Sequence, residues 1–370
     1  MTLRGETVRL AAMGDVMLAR GVGRHFREDP EDFALDEVRG VLNSYDLVML
    51  NLENPVGTKG TPHAIQDPNV TFCCHPESLR ILKNLNTTIV TLGNNHMLDY
   101  GDTALCETLQ HLDAQNILHI GAGRNYAEAN RPLLIEKNGR KLAFLSHVFI
   151  YSASTRMATR NRPGVAEYRI SKILRKIRQL SQQGYRVIVS VHWGHEYSFY
   201  PIPYQMRQAR AMIDNGALLV VGHGPHYPQG IENYRNGKIL YSLGNFIFDE
   251  PHTYANRSFI YGVEIGSGHR LEKEKIYPIQ IENHIPVILN GAKKSSLDNL
   301  INNFSAIYRR KDKDFWKNIS NKYFTDIVRR VVSMKSFKFI CLPPVSFYTS
   351  IGCKNYLRKM KLRNVISFMR

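Results

Sequence analysis

The feature that most limits the fold of this chain is an alternation of short apolar runs with amphipathic stretches. Three early runs, residues 8–16, 46–51 and 88–92, are rich in hydrophobic residues, and each is followed by polar residues. Between these runs, residues 35–43 and 77–85 space their apolar side chains about 3.6 positions apart, which predicts helices. Strands that alternate with helices in this way predict βαβ units and therefore an α/β fold.

The middle of the chain adds two predicted hairpins. Asn138-Gly139 and Asn236-Gly237 each stand between two apolar runs, where an Asn-Gly pair is typical of a two-residue hairpin turn. Further helices are predicted at residues 102–114, 170–183 and 204–215, and further strands at 186–191, 218–221, 258–265 and 275–281. The combination predicts a mixed sheet, or two packed sheets, with helices outside.

The charge of the chain changes near residue 290. Residues 290–370 hold 18 Lys and Arg against four Asp, a charge of +14, whereas residues 1–289 carry only +3 of the total of +17. We therefore predict a main domain over residues 1–289 and a basic, aromatic-rich extension over residues 290–370. Within the extension, residues 297–308 and 315–332 have the pattern of amphipathic helices.

The basic extension is open to two interpretations. One is a solvated segment that folds back on the main domain. The other is attachment to an anionic lipid surface or an acidic polymer, because aromatic residues interleaved with bases suit such an interface. Nucleic acid is the weaker candidate partner, since no recognised nucleic-acid-binding motif is present.

Two features bear on where the protein acts. The five cysteines are odd in number and form no CxxC pair or Cys/His cluster, which favours reduced thiols in the cytoplasm. The first apolar stretch, residues 8–18, is interrupted by Asp15, so neither a secretion signal nor a transmembrane helix is predicted there. We expect a protein that is cytoplasmic or peripheral to the inner membrane.

Side chains able to bind metals follow five of the predicted strands. In open α/β sheets, ligands bind beyond the carboxyl ends of the strands, so residues there are candidates for a site. Carboxylates, amides and imidazoles suit divalent ions of the Mg, Mn, Fe or Zn type. The candidates are Asp15, Glu53, Asn95, His96, His192, His195, Glu196, His223 and His226.

Each candidate also has an ordinary structural explanation. Asp15 fits a cap or turn, Glu53 fits a solvated loop acid, and Asn95 fits a turn because asparagine tolerates a positive φ. His192 fits a buried, hydrogen-bonded histidine, and His223 and His226 alone are a weak metal signal. Only the joint placement of the whole set after successive strands favours a functional site.

The ordered motifs resemble those of the CapA family, the poly-γ-glutamate capsule biosynthesis proteins of the calcineurin-like metallophosphoesterase superfamily. The resemblance covers roughly residues 8–250 and leaves the basic extension without a counterpart. The matching segments are GDVML at 14–18, NLENP at 51–55, NNHMLDYG at 94–101, HWGHEY at 192–197, GHGPH at 222–226 followed by Gln229-Gly230, and YSLGNFIFD at 241–249.

This resemblance implies a four-layer α/β/β/α sandwich of the metallophosphoesterase type, with one or two divalent ions at the facing edges of its sheets. It makes His96 the catalytic histidine, oriented by Asp99. It gives Glu196 and Asn245 a place behind the ligands or against the substrate. The metal ligands that it implies are Asp15, Glu53, Asn95, His192, His223 and His226.

Three departures from the usual metallophosphoesterase pattern bear on the number of metals. The Asp-x-His motif has Met17 at its third position, two residues separate His223 from His226, and Glu53 stands for the usual bridging Asp. The CapA family shares these features. They weaken the inference that two ions are held tightly.

Two functional hypotheses follow. In the first, the chain is a metal-dependent, phosphoesterase-like hydrolase of capsule or surface-polymer synthesis, because a divalent ion neutralises a phosphoester and activates water while His96 protonates the leaving group. Its substrate is a phosphoester or an anionic polymer. In the second, the chain is a non-catalytic protein that binds metal or polymer for a separate synthase or exporter. Under either hypothesis, the basic extension is a candidate to contact an anionic membrane surface or a capsule synthase complex.

Overall fold

The computed structural model describes residues 7–31, 33–149, 152–249, 254–268, 270–306 and 308. The predicted helix over residues 315–332, like the rest of the basic extension beyond residue 308, lies outside these described residues.

The helices and strands alternate along the chain much as the sequence predicts. The strands are β1 (Val8–Val16), β2 (Leu47–Leu52), β3 (Ile89–Thr91), β4 (Leu118–Ile120), β5 (Ala122–Gly123), β6 (Leu133–Lys137), β7 (Arg140–Val148), β8 (Gly164–Val165), β9 (Arg186–His192), β10 (Ala217–His223), β11 (Ile231–Tyr234), β12 (Gly237–Leu240), β13 (Asn245–Ile247), β14 (Arg257–Ile265), β15 (Leu271–Glu282) and β16 (Ile285–Ile288). The helices are α1 (Arg20–Glu28), α2 (Asp36–Leu42), α3 (Arg80–Asn84), α4 (Gly101–Ala114), α5 (Tyr126–Ala129), α6 (Ile170–Gln182), α7 (Pro203–Asp214) and α8 (Gly291–Ala306).

Most of these strands form two mixed sheets. The first has the order β16-β15-β14-β1-β2-β3-β4, with β13 also paired to β1, and the second has the order β11-β12-β10-β9-β7-β6. Strands β1 to β4 are parallel, as are β7, β9, β10 and β12, because helices connect most of them. Antiparallel strands extend both sheets at their edges.

Three apolar cores separate four layers. Leu10 and Met49 of the first sheet meet Phe144 and Val221 of the second in the core between the sheets. The outer face of the first sheet is covered by helices α1 to α4, and the outer face of the second by α6 and α7. The predicted α/β/β/α sandwich is therefore confirmed, with each sheet buried on both faces.

The two predicted hairpins are present, but one is displaced by a residue. Asn138 and Gly139 form the first turn, with φ values of 49° and 67°. In the second hairpin Tyr234 pairs with Gly237, so the turn residues are Arg235 and Asn236. Gly237 is needed for packing instead, because a Cβ there would lie 2.7 Å from Cδ1 of Ile213.

The start of the basic extension packs on the sandwich. Helix α8 begins at Gly291, earlier than the predicted residue 297, and its Leu297 and Ile301 side chains enter the core between the sheets. Tyr308 lies in the core outside the second sheet. The domain boundary after residue 289 stays a prediction. Within the described part of the chain, no helix is both long and apolar enough to span a bilayer.

Candidate metal and acid–base site

The topology brings the polar ends of strands from both sheets to one edge of the sandwich. Asp15 is the penultimate residue of β1, and Glu53 follows β2 directly, while His192 and His223 end β9 and β10. Asp15 Oδ1 lies 2.8 Å from His223 Nδ1, so this contact joins the first sheet to the second. The predicted meeting of the strand ends is thus what the structure shows.

Five of the predicted ligands form one buried group, here called the carboxylate–histidine cluster: Asp15, Glu53, His192, His223 and His226. Ligand atoms of the first three all lie within 4.8 Å of one another. His226 Nε2 lies 3.8 Å from Glu53 Oε1, and its Nδ1 lies 3.7 Å from Asp15 Oδ2. Oxygen and imidazole nitrogen atoms therefore converge on a small volume.

The electrostatics of the cluster separate its two carboxylates. Burial alone would raise the pKa of Asp15, but the hydrogen bond and charge of His223, with the charges of His192 and His226, hold it below its usual value. Burial raises the pKa of Glu53 well above its usual value, and the charge of Asp15 raises it further. Burial lowers the pKa of His192 to about 3, which keeps the imidazole neutral and its lone pair available.

Several buried polar atoms around the cluster have no hydrogen-bond partner among the described residues. They include Glu53 Oε1, His223 Nε2 and Asn95 Oδ1. An unsatisfied buried polar atom costs about 1–3 kcal/mol, so Glu53 Oε1 and His223 Nε2, which belong to one cluster, call for an external partner. These two and Asn95 Oδ1 are all ligand atoms that divalent ions of the Mg, Mn, Fe or Zn type accept, and the residues present therefore fit such an ion.

Hydrogen bonds behind the cluster fix which imidazole nitrogen faces it. His226 Nδ1 donates to Asn245 Oδ1 at 2.8 Å, which leaves Nε2 directed at Glu53. His223 Nδ1 donates to Asp15, which leaves Nε2 as its ligand atom. Such partners hold the orientation of ligating histidines. Asn245 thus lies behind His226, and its role stays a prediction.

Asn51 also contacts the cluster, although the sequence analysis did not select it. Its Nδ2 lies 2.9 Å from Asp15 Oδ1 and 3.4 Å from both Glu53 Oε2 and His192 Nδ1. Its Oδ1 accepts a 3.1 Å hydrogen bond from Asn94, which fixes the direction of the amide. The available signal was its place at the end of β2, two residues before Glu53.

A second group, the His96–Asp99 network, consists of His96, Asp99, Gln66, Phe72 and Ser154. His96 Nδ1 donates to Asp99 Oδ2 at 2.8 Å, and the backbone N–H of Phe72 donates to the same oxygen. The other oxygen of Asp99 accepts from Gln66 Nε2 at 2.8 Å and from Ser154 Oγ at 2.6 Å. The ring of Phe72 lies against the imidazole with centroids 4.4 Å apart, so His96 is fixed in position.

The backbone on the other side of His96 is also held. The carbonyl oxygen of Asn95 accepts hydrogen bonds from the hydroxyls of Ser152 at 2.8 Å and Thr155 at 2.9 Å. Segment 152–155 therefore positions both Asn95 and His96. Sequence reasoning missed these residues and Gln66, because hydroxyls and amides in loops carry no distinctive pattern.

Three further residues of the sequence analysis lie at the border of the site. Glu196 is partly exposed and acts on Glu53 through its charge, which contributes to the raised pKa of that carboxyl group. His195 is partly exposed as well. Met17 is fully buried in the core outside the first sheet, and its sulfur accepts a hydrogen bond from Ala19, so it offers no ligand to the cluster.

Comparison with known proteins identifies the family. The family described as bacterial capsule synthesis protein PGA_cap matches residues 9–250 of the chain. The chain belongs to the PGA_cap family. The matched range contains the carboxylate–histidine cluster and the His96–Asp99 network, whose individual roles stay predictions.

Two curated PGA_cap relatives give the extent of the similarity. The PGA biosynthesis protein CapA of Bacillus subtilis (strain 168) is 32% identical over 332 residues, which cover 88% of this chain and 84% of that protein. The capsule biosynthesis protein CapA of Bacillus anthracis is 31% identical, over 67% of this chain and 61% of that protein. The resemblance to the CapA family is thus confirmed.

A search of solved structures finds the NAD nucleotidase NadN of Haemophilus influenzae. It is 11% identical, and the match covers 88% of this chain and 68% of that chain with a TM-score of 0.44.

Proposed function

We propose that this capsule-synthesis family member is a divalent-metal-dependent, phosphoesterase-like hydrolase of capsule or surface-polymer synthesis. One observation supports it above the others. Glu53 Oε1 and His223 Nε2 are buried ligand atoms without partners among the described residues. His96, which is not one of the proposed ligands, is held near them by Asp99. A site that only held a metal for structural reasons would not need this additional, oriented histidine.

In this proposal Asp15, Glu53 and His192 would hold the ion, with His223 and His226 completing the set. A bound divalent ion supplies Lewis acidity, which neutralises phosphoryl charge and raises the acidity of water. Asn51 and Asn245 keep the donors of the cluster in their orientations. Because the cluster is buried, bulk water is excluded and charges there act more strongly.

His96 is the proposed general acid. Its Nδ1 is committed to Asp99, so Nε2 is the nitrogen that gives a proton to the leaving oxygen. The carboxylate of Asp99 stabilises the imidazolium form while four donors keep that carboxylate in place. The charge of His96 is among those that lower the pKa of His192, which is consistent with His96 facing the cluster.

A second candidate function is a non-catalytic protein that binds metal or polymer for a separate synthase or exporter. The observation that favours it is the burial of Met17 in the core, where the usual pattern of the superfamily has a histidine. A cluster with one ligand fewer is suited to hold an ion without performing the reaction of a two-metal site.

The deciding experiment measures metal content and hydrolysis of a panel of phosphomonoesters and phosphodiesters. The proteins are the full chain, His96→Ala and, as a matched control at a partly exposed position of α4, His111→Ala. We expect all three to bind the same metal after Mn²⁺ supplementation and only His96→Ala to lose activity, by about 100-fold or more. Metal without any hydrolysis would favour the second candidate, and absence of metal would reject the hydrolase and the metal-binding form of the second candidate.

A further inference from the structure

A second concentration of positive charge lies inside the main domain, although residues 1–289 as a whole are nearly neutral. Residues 156–186 contain nine Lys and Arg and a single acid, Glu167, whereas the remainder of residues 1–289 contains 22 bases and 27 acids. The centre of this segment is α6, which carries four bases, Lys172, Arg175, Lys176 and Arg178, and no acid.

The packing of α6 directs these bases away from the core. Its apolar residues Ile173, Ile177 and Leu180 are buried against the second sheet, at a spacing that defines one face of the helix. On the opposite face, Lys172, Arg175 and Arg178 are exposed. We call this surface, together with the partly exposed Lys176 and the exposed bases of the preceding loop, Arg160, Arg162 and Arg169, the basic band.

Helix stability does not explain the basic band. Lys172 stands three and four positions before Arg175 and Lys176, and Arg175 stands three before Arg178. Like charges at these spacings repel, and each pair costs about 0.2–0.5 kcal/mol. A base in the first turn also opposes the helix dipole, which favours an acid there. By contrast α4, on the other side of the sandwich, has Asp102 in its first turn and acids farther along.

Few carboxylates neutralise the band. Glu167 pairs with Arg169 and Lys172, and Asp102 pairs with Arg162 and with Arg156 of the same loop. Arg178 donates to the neutral side chain of Asn215. Among the residues that the structure describes, Arg175 and Lys176 have no carboxylate partner. The band therefore retains a strong local positive charge.

The band starts at the edge of the sandwich where the site lies. Strands β7 and β9 are parallel, so α6, which connects them, runs in the opposite direction and begins at the edge where His192 ends β9. The preceding loop includes Ser152 and Thr155, which hold the backbone of Asn95. From there, the 13 residues of α6 carry the band for about 20 Å along the outside of the second sheet.

We propose that the basic band binds an acidic polymer and leads it toward the site. Charges spread over this length match a chain with repeated carboxylates better than a single phosphate, which needs donors converging on one point. A membrane surface fits less well, because none of the exposed large apolar side chains of the described residues, Ile65, Val70, Leu118, Leu134 and Tyr254, belongs to α6. Binding of the polymer by the band does not depend on the proposed function. Only the reaction of the polymer at the site rests on it.

The test compares two variants of the full chain that remove the same charge. The first variant changes three bases of the band to Gln: Arg175, Lys176 and Arg178. The second changes three exposed lysines of β15 and α8 to Gln: Lys273, Lys275 and Lys293. Binding of fluorescent poly-γ-glutamate is measured at low and moderate salt. We expect the first variant to lose about tenfold or more in affinity, with a weaker salt dependence, and the second to lose less than about threefold.

Lysine labelling adds a measurement at single residues, so that binding by the basic extension is not mistaken for binding by the band. We expect the polymer to protect Lys172 and Lys176 from acetylation and to leave Lys273 and Lys293 reactive. Equal losses in the two variants, absence of this protection, or protection by phosphatidylglycerol vesicles but not by the polymer would overturn the proposal. Neither measurement needs turnover, so its failure is distinct from a failure of the proposed hydrolysis.

Discussion

The two halves of the candidate site differ in how their polar groups are satisfied. In the carboxylate–histidine cluster, Glu53 Oε1 and His223 Nε2 are buried without partners among the described residues. In the His96–Asp99 network, both oxygens of the buried Asp99 accept two hydrogen bonds each. The first half is arranged to receive something from outside the chain, and the second is complete in itself.

This contrast separates binding from proton transfer. Unsatisfied ligand atoms reduce the stability of the folded chain until they are bound. The cluster therefore lowers the unfolding free energy of the metal-free chain and favours binding of an ion. The network adds stability by the same bonds that orient His96. Mutations that remove polar groups from the two halves should therefore change the unfolding free energy of the metal-free chain in opposite directions.

The largest expected effect is that of Glu53→Gln on metal binding. We expect affinity for Mn²⁺ to fall at least about 100-fold, because an anionic ligand becomes a neutral amide. The unfolding free energy of the metal-free chain at pH 7 should be unchanged or higher, since burial and Asp15 already disfavour the charged form of Glu53. Metal titration and denaturant unfolding measure the two quantities.

Glu136→Gln, at an exposed position of β6, is the matched control for Glu53 and should leave both quantities unchanged. If Glu53→Gln retained the metal, or clearly destabilised the metal-free chain, the contrast between the two halves would be broken.

Asp99→Asn should show the opposite combination. An amide cannot accept all four hydrogen bonds, so we expect a loss of about 2 kcal/mol in unfolding free energy and about 100-fold in any hydrolytic activity. Metal content should stay the same. Asp113→Asn is the control, because Asp113 pairs with His119 at 3.0 Å but is exposed, and its effect should stay within about 0.5 kcal/mol. Loss of metal from Asp99→Asn would show that metal binding depends on both halves, and would contradict the distinction between them.

The smallest effects are expected for Gln66→Ala and Ser154→Ala. Each removes one donor to Asp99 Oδ1 and should cost about 1 kcal/mol in unfolding free energy. The two side chains donate to the same oxygen, so a double-mutant cycle should give a coupling of about 0.5 kcal/mol or more. Strict additivity would show that the network does not act as a unit.

Much of the fold could be predicted because buried parallel strands leave strong apolar runs. Strand β1 was predicted with its observed bounds, and helices α4 and α6 to within a residue. Elements with weaker patterns were not predicted. Helix α1 contains two glycines and buries only Val22, Gly23 and Phe26, and β13 has three residues.

The candidate site could be predicted where its residues end strands, as Asp15, Glu53, His192 and His223 do. The residues that hold Asp99 could not, because they come from distant loops. Gln66 and Ser154 stand 33 and 55 positions from Asp99, and nothing local marks either. Gly237 could not be interpreted correctly from the sequence for the same reason. It lacks a Cβ because Ile213 of α7 packs against it, and it does not form the turn that the sequence predicts.

The contact between Asp15 and His223 has a consequence for folding. Its partners are 208 positions apart and belong to different sheets, so it closes a very long loop and forms only when the sheets have docked. An ion that uses both residues would therefore bind the assembled sandwich and not its separate halves. Metal supply would then act on the rate at which the two sheets come apart, and so on the lifetime of the protein.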